Sequence, residues 1–105
     1  MPLVGFSQVN TDEQLASQYY QNKEFDKALD YYENLYYKTS TQLYYEPYLS
    51  CLVQTKNFNK AEKVIKKEIK QNPEKLDLLI DLGVVYSLDD EEKKSTNAWE
   101  QAINS

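Results

Sequence analysis

Two kinds of side chain in this sequence could do covalent or acid–base chemistry, and each stands in an unpromising context. The run Asp89-Asp90-Glu91-Glu92 offers paired carboxylates. Acid–base work needs two carboxyls whose surroundings push their pKa values apart. A run on a predicted turn and helix start is instead a favourable placement of negative charge at a helix N-terminus. The run also lacks the D-x-[DN]-x-[DN]-G ligand spacing of a calcium loop. Cys51, the single cysteine, lies among apolar neighbours in QLYYEPYLSCLVQ with no cationic activator, as a buried small hydrophobe does. The chain has no histidine. That absence removes Ser/His/Asp and Cys/His nucleophile arrangements and nearly all zinc sites. With no glycine-rich phosphate loop either, the residues point away from an enzyme and imply no catalytic residue, cofactor or metal.

The scaffold that carries these residues is small. One domain fits in 105 residues, and two glycines and three prolines leave little material for the tight turns of an all-β fold. The formal charge is −5, with twelve lysines and no arginine, which argues against a nucleic-acid binder. Charge is segregated: residues 55–75 carry seven Lys against three acids, and the flanking segments are acidic. The lysines alternate with apolar positions at helical spacing, as on one solvated helix.

The N-terminal stretch MPLVGFSQ is apolar and uncharged and gives way abruptly to the polar NTDEQ. Gly5 and Ser7 supply the small residues that a signal-peptidase site needs. Residues 1–8 are therefore expected to be a tail that carries the remnant of an export signal, which favours an exported or periplasmic location over a cytoplasmic one. No other stretch approaches the length of a transmembrane helix, so no membrane insertion is expected.

Internal repetition is the strongest pattern. KEFDKALDYY and NFNKAEKVIK share a skeleton of aromatic, x, Lys, Ala. Leu15-Ala16-x2-Tyr19, Tyr48-Leu49-x2-Leu52 and Leu82-Gly83-x2-Tyr86 recur at spacings of 33 and 34 residues. Ala28, Ala61 and Ser95 follow at one common offset, and Tyr32, Ile65 and Trp99 lie four residues beyond them. One structural unit is thus written three times, over about 9–41, 42–75 and 76–105.

Each unit has the spacing of two helices. Leu15, Ala16 and Tyr19 share one helical face, as do Ala28, Leu29, Tyr32, Leu35 and Tyr36. Asn22-Lys23-Glu24 and Thr55-Lys56-Asn57 are polar breaks of turn length. Asn10, Thr11 and Asp12 are N-cap candidates for the first helix, and Thr39, Ser40 and Thr41 for the third. Asn72-Pro73 stops the fourth helix. Pro47 fits if the third helix begins near Leu43 or Tyr44, where a missing N–H costs little. Tyr19, Tyr32, Tyr36, Tyr48 and Tyr86 fall on core-facing positions. Tyr20, Tyr31, Tyr37, Tyr44 and Tyr45 fall beside them as candidates for a contact surface.

These residues resemble the tetratricopeptide repeat (TPR), whose 34-residue pattern is W-x2-L-G-x2-Y, then Ala, then an aromatic and a closing Pro. Leu82-Gly83-x2-Tyr86 matches literally, with Leu79, Tyr45 and Asp12 where the family has Trp. Ala28 and Ala61 match the second-helix Ala, with Ser95 as a substitute. Phe25 and Phe58 match the aromatic before it, and Glu92 departs. Pro73 stands at the terminal proline, and Ser40 takes that place in the first unit. The resemblance implies an all-α fold, a right-handed α-solenoid of about three antiparallel helix pairs.

It also implies a non-catalytic protein–protein interaction scaffold, part of a larger protein, with a concave groove for a partner's peptide or helix. The family's groove positions fall on Glu13, Ser17, Tyr20 and Gln21, on Glu46, Ser50, Val53 and Gln54, and on Asp77, Ile80, Val84 and Leu88. Glu13, Ser17, Pro47, Asp77 and Asp81 stand where one branch of the family clamps a chaperone's C-terminal carboxylate with Lys, Asn and Arg. The acidic groove suits instead a protein or peptide with Lys or Arg and an apolar anchor. The alternative is a structural solenoid segment. The run from Asn97 to Ser105 carries no polar capping helix, so the apolar face of Leu79, Trp99, Ala102 and Ile103 would be covered by further repeats or by a homodimer through the third unit.

Overall fold

The computed structural model describes the backbone of residues 3–39 and 42–104, with side chains from Thr11 onward. The described residues are all-α, with six helices in which consecutive helices pack on one another within each of two units. The chain divides into two compact units, Met1–Lys56 and Asn57–Ser105.

In the first unit, α1 (Leu3–Gln21) packs on α2 (Phe25–Thr39), and α2 packs on α3 (Tyr45–Gln54), which follows a 3-10 turn at Gln42–Tyr44. The core includes Ala16, Ala28, Tyr32, Leu35, Tyr36, Tyr48, Cys51 and Leu52. The helical spacing of these positions brings them to facing stripes. Tyr48 is fully buried between rings, 5.3 Å from Tyr36 and 6.0 Å from Tyr37. Its hydroxyl donates to Glu33 Oε1 at 2.6 Å. Pro47 sits in the first turn of α3, where its lack of an N–H breaks no helical hydrogen bond, as the sequence leads one to expect.

In the second unit, α4 (Phe58–Gln71), α5 (Asp77–Leu88) and α6 (Glu92–Asn104) pack in order, α4 on α5 and α5 on α6. Asn72 ends α4, with its N–H bonded back to Glu68 O at 2.8 Å before Pro73. Ala61, Val64, Ile65, Leu78, Leu82, Val85, Tyr86 and Ala98 form the core.

The helix starts differ from the sequence expectation in two places. α1 begins at Leu3 and runs through Asn10, Thr11 and Asp12, which are therefore not its caps. Thr39 does not cap α3 either: it closes α2, with its hydroxyl donating to Leu35 O at 2.7 Å. This back-bond to the preceding turn competes with capping. Ser40 and Thr41 lie outside the described residues, as do Met1 and Pro2.

The repetition in the sequence returns as repeated backbone geometry. Lys23, Lys56 and Asp90 have φ of 62°, 61° and 58°, and no other described non-glycine residue has a positive φ. They stand 33 and 34 residues apart, at the ends of α1, α3 and α5. At the first corner Lys23 N–H reaches Tyr20 O and Glu24 N–H reaches Tyr19 O; at the third, Asp90 N–H reaches Ser87 O and Glu91 N–H reaches Tyr86 O. This is the bond pattern of a Schellman cap, whose left-handed residue is normally glycine. A lysine or aspartate there bears a steric cost of roughly 1–2 kcal/mol. Lys23→Gly, Lys56→Gly and Asp90→Gly are each expected to stabilise the protein by about 0.5–1 kcal/mol, after glycine's larger unfolded-state entropy is deducted. Thermal melts of the three variants would check this, and a loss of stability at each corner would contradict the assigned backbone.

Ser95 marks where the third copy departs from the other two. Ala28 and Ala61, at the same offset, are wholly buried, and Ser95 is 2% exposed with its hydroxyl oxygen unbonded. A buried hydroxyl without a partner is a net cost. Ser95→Ala is expected to raise stability by about 1 kcal/mol in urea titration.

Candidate functional site

The family-derived groove positions fall on two faces of different character, one in each unit. On the first unit they are mostly polar, and two pairs of them are hydrogen-bonded to one another. Tyr20 Oη donates to Ser50 Oγ at 2.9 Å, which ties α1 to α3. The Tyr20 ring is held edge-on by Phe25 at 5.4 Å and Tyr32 at 6.0 Å. Tyr44 Oη donates to Glu13 Oε2 at 3.2 Å, and burial followed by this carboxylate holds the phenol above its usual pKa. Gln21 Nε2 donates to Ser17 Oγ at 3.4 Å. Glu46 and Gln54 are exposed and Val53 is half-buried. A shallow depression floored by Glu13, Gln14, Ser17 and Gln18 runs along α1.

Two of the five surface tyrosines are corrected by these contacts. Tyr44 and Tyr45 are 6% and 5% exposed and belong to the core. The 3-10 turn before α3 rotates them inward, a local geometry that strict α-helical spacing does not describe. Tyr31 is half-buried and stacks on Tyr19 at 5.8 Å, and Tyr20 is half-buried as well. Tyr37 alone of the five is exposed.

On the second unit the picture reverses. Ile80, Val84 and Leu88 are exposed, and Leu76, which the groove assignment omits, continues the row. The four stand at i, i+4, i+8 and i+12, from the residue that precedes α5 to its last, one stripe along the helix. The opposite side of α5 carries Leu78, Leu82, Val85 and Tyr86 into the core. A helix apolar on both sides is normally covered on both sides. Asp77 lies beside the stripe and is exposed.

The stripe continues onto α6. Trp99, in register with the buried Tyr32 and Ile65, is itself 38% exposed, and Ile103 is 81% exposed. Tyr32 lies on a helix packed between two others, whereas α6 packs chiefly on α5. Leu76, Ile80, Trp99, Ala102 and Ile103 line a cleft of ≈ 330 Å³. Trp99 closes down on α5 because residue 83 is glycine: a Cβ there would fall on the indole ring. The indole N–H points at Ile80 O, 3.4 Å away. Leu79, expected on the open face, is half-buried.

A third cleft, bounded by α4, α5 and α6, holds Glu62, Lys66, Tyr86, Lys94, Asn97 and Gln101. Its charges satisfy one another. Glu62 accepts from Tyr86 Oη at 2.8 Å and pairs with Lys66 at 2.8 Å, and these bonds, Lys66 first, hold its carboxyl below the ordinary range. Lys94 lies over the Tyr86 ring at 5.7 Å, as Lys27 of α2 lies over Tyr19 of α1 at 5.6 Å in the first unit. Cys51 is buried, and burial pushes its thiol up to about 11. Among the described residues no group of three His, Cys, Asp or Glu could hold a metal ion, and no helix is long and apolar enough to cross a membrane.

No protein-family model matches the chain, and no curated protein matches it.

Proposed function

We propose that this chain is a tetratricopeptide-like repeat module, its helix pairs forming a right-handed solenoid, and that it is a non-catalytic scaffold which binds a peptide or helix of a partner protein. The repeat reading is supported by the left-handed corners at Lys23, Lys56 and Asp90, whose spacing matches that of Ala28, Ala61 and Ser95. The binding reading is carried by one observation: Ile80, Val84 and Leu88 form an exposed apolar stripe on α5 with Asp77 beside it. Such a row presents what a helix-in-groove or extended-peptide partner needs, an apolar seat and a charge that sets orientation. The partner that fits is a protein segment with apolar anchors and Lys or Arg.

Crosslinking in a native extract followed by mass spectrometry tests the reading, with Val84→Lys and Asp77→Lys on the stripe and Lys63→Glu on the exposed side of α4 as a control. The expected result is a crosslinked protein lost with both stripe variants and kept by the control. Crosslinks only between copies of this chain would replace the adaptor reading with the structural one, a segment that assembles through residues 76–105. Capture that ignores both stripe variants would remove α5 from the site.

A further inference from the structure

We propose that the exposed face of α4 is a second docking surface, separate from the α5 stripe, and that its occupant is a segment of another protein carrying a row of Asp or Glu side chains.

Lys60, Lys63, Lys67 and Lys70 stand at i, i+3, i+7 and i+10 on α4, and all four are exposed. That spacing sets them in one row along the helix, about 15 Å long at a rise of roughly 1.5 Å per residue. Neither acid of α4 stands in the row: Glu62 is bonded to Lys66 and Tyr86, and Glu68 is buried.

The other two copies of the repeat show that these positions do not require lysine. Counted from Ala28, the same four places on α2 are Lys27, Asp30, Asn34 and Tyr37. Counted from Ser95, they are Lys94, Asn97, Gln101 and Asn104 on α6. All eight are exposed, as the four lysines of α4 are. One lysine and a mixture of other residues therefore satisfy the solvent-facing row in the first and third copies. Only α4 fills every place with one charge, and like charges three and four residues apart destabilise a helix. A row that weakens its own helix and that the repeated unit does not need is accounted for by an occupant of opposite charge.

The kind of anion follows from the rest of the chain. Its formal charge is −5, and it has no arginine. A nucleic-acid duplex or an anionic bilayer extends far beyond the row and meets that net negative charge as well. A segment no longer than the row stays within roughly one Debye length, about 8–10 Å, of the lysines. Phosphate recognition also favours the bidentate fork of arginine, whereas the point charge of lysine pairs with a single carboxylate. A second copy of this chain would offer Asp89-Asp90-Glu91-Glu92, consecutive residues at a turn and helix start that cannot share one face.

The probe is a fluorescently labelled helical peptide of about 15 residues with Glu at i, i+3, i+7 and i+10. It is compared with a scrambled peptide of the same composition, a short DNA duplex, and vesicles of phosphatidylserine in phosphatidylcholine. The expected result is saturable binding of the matched peptide by anisotropy, tighter than that of the scrambled one and weakened as salt rises. Lys63→Gln with Lys67→Gln is expected to reduce affinity about tenfold. Lys38→Gln with Lys93→Gln removes the same charge from two exposed positions on α2 and α6 and is expected to leave affinity unchanged. Circular dichroism verifies the fold of both variants.

No binding of the matched peptide would overturn the proposal. Equal binding of the scrambled peptide, or an equal loss in the Lys38 and Lys93 variant, would overturn it too, because net charge alone would be acting. Duplex or vesicle binding that exceeds peptide binding and is lost with the Lys63 and Lys67 variant would assign the row to phosphate and overturn it as well. The α5 reading fails or stands separately. In the extract experiment a protein seated on α5 is lost with Val84→Lys and kept by Lys63→Glu, whereas one seated on the lysine row is kept by Val84→Lys and lost with Lys63→Glu.

Discussion

Tyr48→Ala is expected to destabilise the protein by about 3–5 kcal/mol, the range for removing a buried aromatic ring. Tyr48 has no solvent exposure and packs against Tyr36 and Tyr37, so its removal leaves a cavity between α2 and α3 that the rigid neighbouring rings fill poorly. The hydroxyl adds a second loss, since it is a 2.6 Å donor to the Glu33 carboxylate. Burial and that carboxylate together hold the phenol protonated far above its usual range. Tyr48→Phe separates the two effects: the ring stays, and the expected cost falls to about 1.5–3 kcal/mol for a hydrogen bond to a charged acceptor. Because a domain of this size is stable by only about 5–15 kcal/mol, the alanine variant would be partly unfolded at 37 °C. Urea titration followed by far-UV circular dichroism measures both. A Phe variant as stable as the parent would show that the Glu33 bond contributes nothing net. Trp99 lies in the other unit, so its emission, followed in the same titration, shows whether the two units unfold together.

Gly83 and Trp99 yield a prediction whose sign depends on the neighbour. Gly83 lies inside α5, where glycine costs about 0.8–1.0 kcal/mol relative to alanine. On propensity alone Gly83→Ala would stabilise. The indole of Trp99 occupies the space a Cβ needs, so the ring must swing out, losing its packing and its hydrogen bond to Ile80 O. Overpacking of this kind costs about 1–3 kcal/mol, which exceeds the propensity gain. Gly83→Ala is expected to lower stability by about 1–2 kcal/mol and to red-shift the tryptophan emission. In the Trp99→Ala background the same substitution meets no ring, and it is expected to raise stability by up to about 1 kcal/mol. A double-mutant cycle measures the difference. If Gly83→Ala is destabilising in both backgrounds, the contact with Trp99 is not the reason for the glycine.

Much of the helical architecture was legible because it rests on short-range rules. The 3.6-residue periodicity of Ala28, Tyr32, Leu35 and Tyr36 already places one face of α2 inward, and all four are buried. Asn72-Pro73 stops α4 whatever surrounds it, since proline's ring excludes the next helical hydrogen bond. The cap assignments failed for a related reason. Asn10, Thr11 and Asp12 can cap a helix, yet they also tolerate a helix interior at modest cost, and composition alone does not distinguish the two.

The candidate site was legible only in part. Ile80, Val84 and Leu88 were reached through the family's groove positions, and Trp99 and Ile103 through the apolar end of the third copy. Leu76 was missed, although its spacing of four residues from Ile80 carried the signal. Ser50 and Tyr20 were placed together as groove residues, but nothing in their spacing of 30 residues indicates a hydrogen bond. Tyr44 and Tyr45 were misassigned because a single 3-10 turn rotates both toward the core.

By itself the sequence determined that the chain is helical and that one two-helix pattern recurs at 33 and 34 residues. These follow from periodicity, turn residues and composition, which are local or global properties of the chain and need no knowledge of what lies beside what. Only the tertiary structure decided which apolar residues stay in water. Tyr32, Ile65 and Trp99 are equivalent in the pattern, yet Tyr32 and Ile65 are buried and Trp99 is 38% exposed, a difference the pattern does not carry. The same holds for Gly83, whose role is set by an indole sixteen residues away in sequence and directly above it in space.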